Sequence, residues 1–202
     1  MTDAAWETLS DQAVAAAGVV YFLALLAHLV EWASLREVVT AKGGTAGASG
    51  DSGAVIVATG EPDEGAVRRH RVALFGRLGL LLTGLAGAVH LVSLVGRGLA
   101  ADPNRVPWGN MYEFTLSGTF VVTLMYLVLY KKFSLAWMAP LVLVFVLSTL
   151  MVAVIWLHSE VTPLTEALNS YWLVIHVVSA VIATGAFTIG GILSAVYLVK
   201  DR

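Results

Sequence analysis

Five apolar runs, each near the ~20 residues that one crossing of a ~30 Å hydrocarbon core requires, constrain this chain more than any other feature of its sequence. They lie at about Ala13–Ser34, Val72–Val95, Met111–Tyr130, Leu135–Leu157 and Tyr171–Val199. Leu, Val, Ala and Gly fill them without strict alternation, which predicts helices and not the short strands of a barrel. With 58% apolar and 13% charged residues, the composition is far from that of a soluble globule. The expectation is an all-α, polytopic transmembrane bundle of about five helices. It forms a single membrane domain over residues 1–202 and sits multi-pass in the cell membrane.

Charge sets the expected orientation. Asp3, Glu7 and Asp11 precede the first run where a signal peptide would carry positive charge, so that run is read as a retained helix. Ten of the twelve Lys and Arg residues fall at alternate helix ends: Arg36, Lys42, Arg68, Arg69, Arg71, Arg77, Lys131, Lys132, Lys200 and Arg202. Arg97 and Arg105 fall on the other side. The positive-inside rule then places the amino terminus outside and the carboxyl terminus inside. Trp6, Trp108, Trp156 and Trp172 mark the outer boundary, and Trp32 and Trp137 the inner one, as an aromatic belt.

The connections differ in kind. Residues 36–70 include the Gly/Ala/Ser-rich stretch Lys42–Gly53 and the acidic patch Glu61–Glu64, and read as a flexible cytoplasmic loop. Lys131–Ser134 is short, so the third and fourth helices form an antiparallel pair. The outer loops Ala101–Asn110 and Ser159–Ser170 carry Pro103, Pro107 and Pro163, which restrict the backbone and point to an ordered outer site. Nothing in the sequence suits nucleic acid.

The absence of cysteine excludes disulfides, thiolate metal sites and a thiol nucleophile within the chain. The remaining chemistry rests on five histidines. His90, His158 and His176 share the outer side, while His28 near the inner end of the first helix and His70 in the loop read as ordinary. An imidazole in a membrane helix faces the bundle interior or a cavity, because lipid leaves its nitrogens unsatisfied. A hydrogen bond to a neighbouring helix accounts for His90 and His158 as well as a functional role does. His176 follows Trp172 by four residues on one helix face, which Ser179, Ala180 and Ala183 extend with small groups. That face suits a flat ligand such as haem, with His176 as a candidate ligand to its iron.

Two segments carry a family resemblance. Arg105-Val106-Pro107-Trp108-Gly109-Asn110-Met111-Tyr112-Glu113-Phe114 opens the third helix, and Asn169-Ser170-Tyr171-Trp172-Leu173-Val174-Ile175-His176-Val177 opens the fifth. In register with this hydropathy order, over nearly the whole chain, they resemble the CcsA family. These proteins are also called ResC and, in actinobacteria, CcsB, and they are membrane proteins of system II cytochrome c biogenesis. The resemblance implies haem binding and a share in a cytochrome c haem lyase or synthase. Haem b, as substrate, is presented at the extracytoplasmic face and joined through its vinyl groups to the thiols of a Cys-x-x-Cys-His apocytochrome c. A ResB-type membrane subunit is the implied partner. His176 matches one of the family's two outer haem ligands. Family members continue through a WWD segment and a second histidine, so this chain is expected to correspond to an amino-terminal portion or a short relative, incomplete for catalysis alone. No catalytic side chain is assigned.

The residues themselves allow several roles. Trp108, Asn110, Tyr112 and Glu113 either shape an outer vestibule that orients haem or its histidine, or serve to cap and pack the third helix, where the helix dipole favours a carboxylate. Arg97 and Arg105, the outer cations, either pair with haem propionates or sit among headgroups. Two other functions fit the same residues. One is a membrane anchor of a respiratory complex, with His90 and His176 holding an electron-transfer haem. The other is a proton-coupled transporter using His90, His176 and Glu113, which the clustering of these groups near one face disfavours.

Overall fold

The computed structural model describes residues 2–44, 64–162 and 170–201. Its elements are α1 (Asp3–Gly44), α2 (Glu64–Leu99), α3 (Met111–Lys132), α4 (Ala139–Val152) and α5 (Tyr171–Lys200). A 3₁₀ turn at Leu135–Met138 leads into α4 and a π turn at Ala153–Leu157 leaves it, so one span covers Leu135–Leu157. Among the described residues five helices are long and apolar enough to cross a membrane, and no strand occurs. The all-α transmembrane bundle expected from hydropathy is the architecture found.

Two of the helices run well past their apolar runs. Arg36–Gly44 and Glu64–His70, expected as loop, are continuous helix with α1 and α2, and His70 is a helical residue. Intrahelical backbone hydrogen bonding does not depend on hydropathy, so a helix runs on where its apolar run stops. Residues 45–63, the centre of the expected flexible loop, lie outside the described residues. At the other end α1 begins at Asp3, ten residues before the apolar run. Its acidic first turns suit the positive end of a helix dipole.

The main contact is between α1 and α2. On α1 the buried positions Ser10, Val14, Ala17, Tyr21, Ala24, His28 and Glu31 alternate in steps of four and three. On α2 Gly76, Gly79, Thr83, Ala86, His90, Ser93 and Arg97 do the same. That is the heptad spacing of a coiled-coil seam, and the two stripes meet antiparallel: Ser10 bonds Ser93, and Tyr21 reaches His90. Small residues let the backbones approach, as in other membrane helix pairs. Gly79 and Gly76 show why. A Cβ on Gly79 would stand 2.7 Å from the His28 ring, and one on Gly76 would stand 2.5 Å from the Glu31 carboxylate.

α3, α4 and the 3₁₀ turn between them pack on this pair and supply most of the apolar core, including Leu116, Val122, Met138, Leu143 and Val146. The reversal between them passes through Ser134, whose φ of 51° lies in the left-handed region. α5 packs chiefly on α3. Its most apolar window is only 17% buried, against 39–44% for the other four spans, so α5 is the peripheral helix.

Candidate functional site

The PWGNMYEF segment folds into the entrance of α3 around one carboxylate. Asn110 is the N-cap, in extended conformation with φ −149°, and its Oδ1 accepts the Glu113 N–H at 2.8 Å. This satisfies an amide that has no intrahelical partner and turns the Glu113 side chain back over the loop. There the carboxylate accepts from Arg105 Nη1 at 2.7 Å, Arg97 Nε at 3.3 Å and the Gly109 N–H at 2.7 Å. The loop reaches this position because Gly98 has no side chain: a Cβ there would meet the Arg105 carbonyl at 2.6 Å, where the Arg105 N–H bonds Gly98 O.

Arg97 is fully buried, which is expensive for a charge unless it is paired throughout. Besides Glu113 it faces Glu7 at 3.5 Å and Asp11 at 3.8 Å from α1, and it donates to the Ser159 carbonyl. Its guanidinium also lies over the Tyr112 ring, 5.0 Å from the centroid. Arg105 donates to the Thr162 carbonyl at 3.1 Å, and Glu7 accepts the Val161 N–H at 3.0 Å. One network therefore ties the start of α1, the end of α2, the entrance of α3 and the segment after α4. Residues 163–169, including Pro163, lie outside the described residues.

Through these contacts Glu113 and Asn110 cap and pin the α3 entrance. Arg97 is enclosed by carboxylates, so it is not an open cation for propionates; only Arg105, with its side chain 13% exposed, borders accessible space. Tyr112 is fully buried between Arg97 and His158, whose ring centroid is 5.0 Å away. His158 itself faces Asp11 at 3.4 Å at the surface.

Trp108 has a different position. Its Nε1 donates to Ser117 Oγ at 3.1 Å, and its ring borders an apolar groove of about 800 Å³ between α2, α3 and α5. Leu94, Phe120, Leu124 and Val181 form the walls, and Arg105 stands at the polar end. The volume is in the range of small-molecule and cofactor pockets, ~300–1,000 Å³.

His90 and His176 are not brought together. His90 is fully buried, with Nδ1 3.4 Å from the Tyr21 hydroxyl, which in turn donates to Thr123 at 3.1 Å. Phe120, a wall of the groove, lies edge-on to the imidazole at 5.8 Å, so His90 does not itself line the groove. Its Nε2 makes no hydrogen bond among the described residues. His176 is exposed on α5 together with Trp172 and Ser179, while Val178 and Val181 of the same helix turn toward the groove. The described residues contain no group of three or more His, Asp or Glu side chains placed to hold a metal ion.

One pair went unread in the sequence. His28, taken as ordinary, is fully buried with Nδ1 2.9 Å from Glu31 Oε2. The signal was available in the spacing: between Ala13 and Glu31 the polar side chains are Tyr21, His28 and Glu31, seven and three residues apart and so on one helix face. Comparison with known protein families, with curated proteins and with solved structures returns no match for this chain.

Proposed function

We propose that this protein handles haem for cytochrome c maturation, presenting it at the extracytoplasmic membrane face beside a ResB-type subunit for attachment to apocytochrome c. The observation that carries the reading is the outward face of α5. An exposed imidazole at His176 stands one turn after an exposed indole at Trp172, on the least buried helix of the bundle. Among the described residues His176 has no hydrogen-bonding partner to compete with a ligand.

The donor chemistry fits haem held by one histidine of this chain: a free imidazole nitrogen for the iron, an aromatic shelf for the macrocycle, and small residues below. The groove between α2, α3 and α5 borders the other side of that helix, which Val178 and Val181 face, and is separate from the His176 face. Haem as substrate brings the reactive vinyl groups, so the protein's task is position and exclusion of water. A respiratory anchor with a bis-histidine haem is less well supported, because His90 sits behind Phe120 and His176 faces outward.

The test is haem absorption of the full chain purified from membranes with its partner subunit, as wild type, His176→Ala and His90→Ala. His176→Ala is expected to lose the haem and His90→Ala to keep most of it. Equal loss in both would favour the anchor, and a wild type without haem would sink both readings.

A further inference from the structure

Among the described residues two carboxylates are buried in the membrane helices, Glu31 and Glu113, and they face different partners. Glu113 is enclosed by the guanidiniums of Arg97 and Arg105, which do not deprotonate in proteins. Glu31, with a side chain 11% exposed, faces the imidazole of His28 at 2.9 Å, and imidazole is the side-chain class that can be neutral or cationic in the physiological pH range. An ionised Glu31 beside a neutral His28 leaves one uncompensated negative charge inside a span, where charge is costly. A single proton on either residue removes it. His28 Nε2, sealed from solvent, makes no hydrogen bond among the described residues, so one ring nitrogen is not committed to holding the fold.

The surroundings favour exchange over a fixed pair. α2 offers Gly76 and Gly79, which add no polar side chain, and Thr83, whose hydroxyl is committed to the Gly79 carbonyl at 2.7 Å. Arg77, which follows Gly76 on α2, is exposed and off the seam. From α3, Tyr126 and Tyr130 stack edge-on at 5.7 Å within electrostatic reach of Glu31, and the Tyr126 hydroxyl makes no hydrogen bond among the described residues. We propose that His28 and Glu31 form a reversible proton-binding site inside the bilayer, entered through Glu31 and separate from the α5 face. Because both side chains rest on glycine backbone of α2, proton occupancy acts directly on the α1–α2 seam.

The experiment treats the detergent-solubilised full chain with dicyclohexylcarbodiimide, which reacts with protonated carboxyl groups in apolar surroundings, across about pH 5–9, the range that brackets imidazole titration. Adducts are located by peptide mass spectrometry. The expected result is an adduct on Glu31 whose yield falls several-fold from the lowest to the highest pH, with Glu113 unmodified. Glu31→Gln removes the adduct, and His28→Gln displaces the pH profile. No Glu31 adduct in monodisperse wild-type protein, a yield independent of pH, or equal labelling of Glu113 would overturn the proposal. An unchanged profile in His28→Gln would overturn the pairing. The wild-type profile decides the question even where a variant does not fold.

Discussion

Arg97 and Glu113 are both fully buried and lie 3.3 Å apart, joining the last turn of α2 to the first turn of α3. Removing the carboxylate leaves a buried guanidinium short of its main partner. Glu113→Gln is therefore expected to destabilise the protein by about 3–5 kcal/mol, the cost of breaking a buried ion pair. Thermal unfolding in detergent measures it. A loss below about 1 kcal/mol, the size of an exposed pair, would mean that the network does not hold the outer loops.

Asn110 acts through the same turn but by capping alone. Asn110→Ala is expected to cost about 0.5–2 kcal/mol, and Asn110→Asp to keep most of the stability, since either side-chain oxygen accepts the Glu113 N–H. If both substitutions cost the same, the amide group has a role that the cap does not explain.

Gly79 is expected to be intolerant because of His28, not because of its backbone. Gly79→Ala places a methyl group against the imidazole and should cost about 1–3 kcal/mol as overpacking. His28→Ala vacates that space, so the double variant should be less destabilised than the sum of the two single variants. Strict additivity in unfolding experiments would remove the contact as the cause.

Orientation across the membrane follows from charge and is open to direct measurement. Reporter fusions at Lys131 and Ser159 bracket α4, and the positive-inside rule expects Lys131 to report inside and Ser159 outside. Both on one side would break the five-span arrangement.

Much of the fold was legible because a bilayer permits few solutions. A run of ~20 apolar residues has to satisfy its own backbone, so it becomes a helix wherever it lies in the bundle. The helix ends were less legible: α1 and α2 extend through the polar residues 36–44 and 64–70, where hydropathy falls but helical hydrogen bonding does not. The candidate site was legible as a set of residues and not as an arrangement. His90, His176 and the segment from Trp108 to Glu113 all read as outer-side chemistry. Yet the structure places His90 behind Phe120, turns His176 outward and closes Glu113 on two arginines.

The sequence by itself determined that the chain forms five membrane helices, that it lacks thiol chemistry, and which of its polar residues lie within the spans. Those conclusions depend on local hydrophobicity and residue identity alone. Only the tertiary structure decided which partners the polar residues have. Glu113 is a network hub because the end of α2 and the loop before α3 bring it two arginines and an amide, and His28 and Glu31 are buried because glycines on α2 admit them. Inside a bilayer the cost of a charge is set by its partners, and partners more than a few turns apart in the chain are chosen by packing.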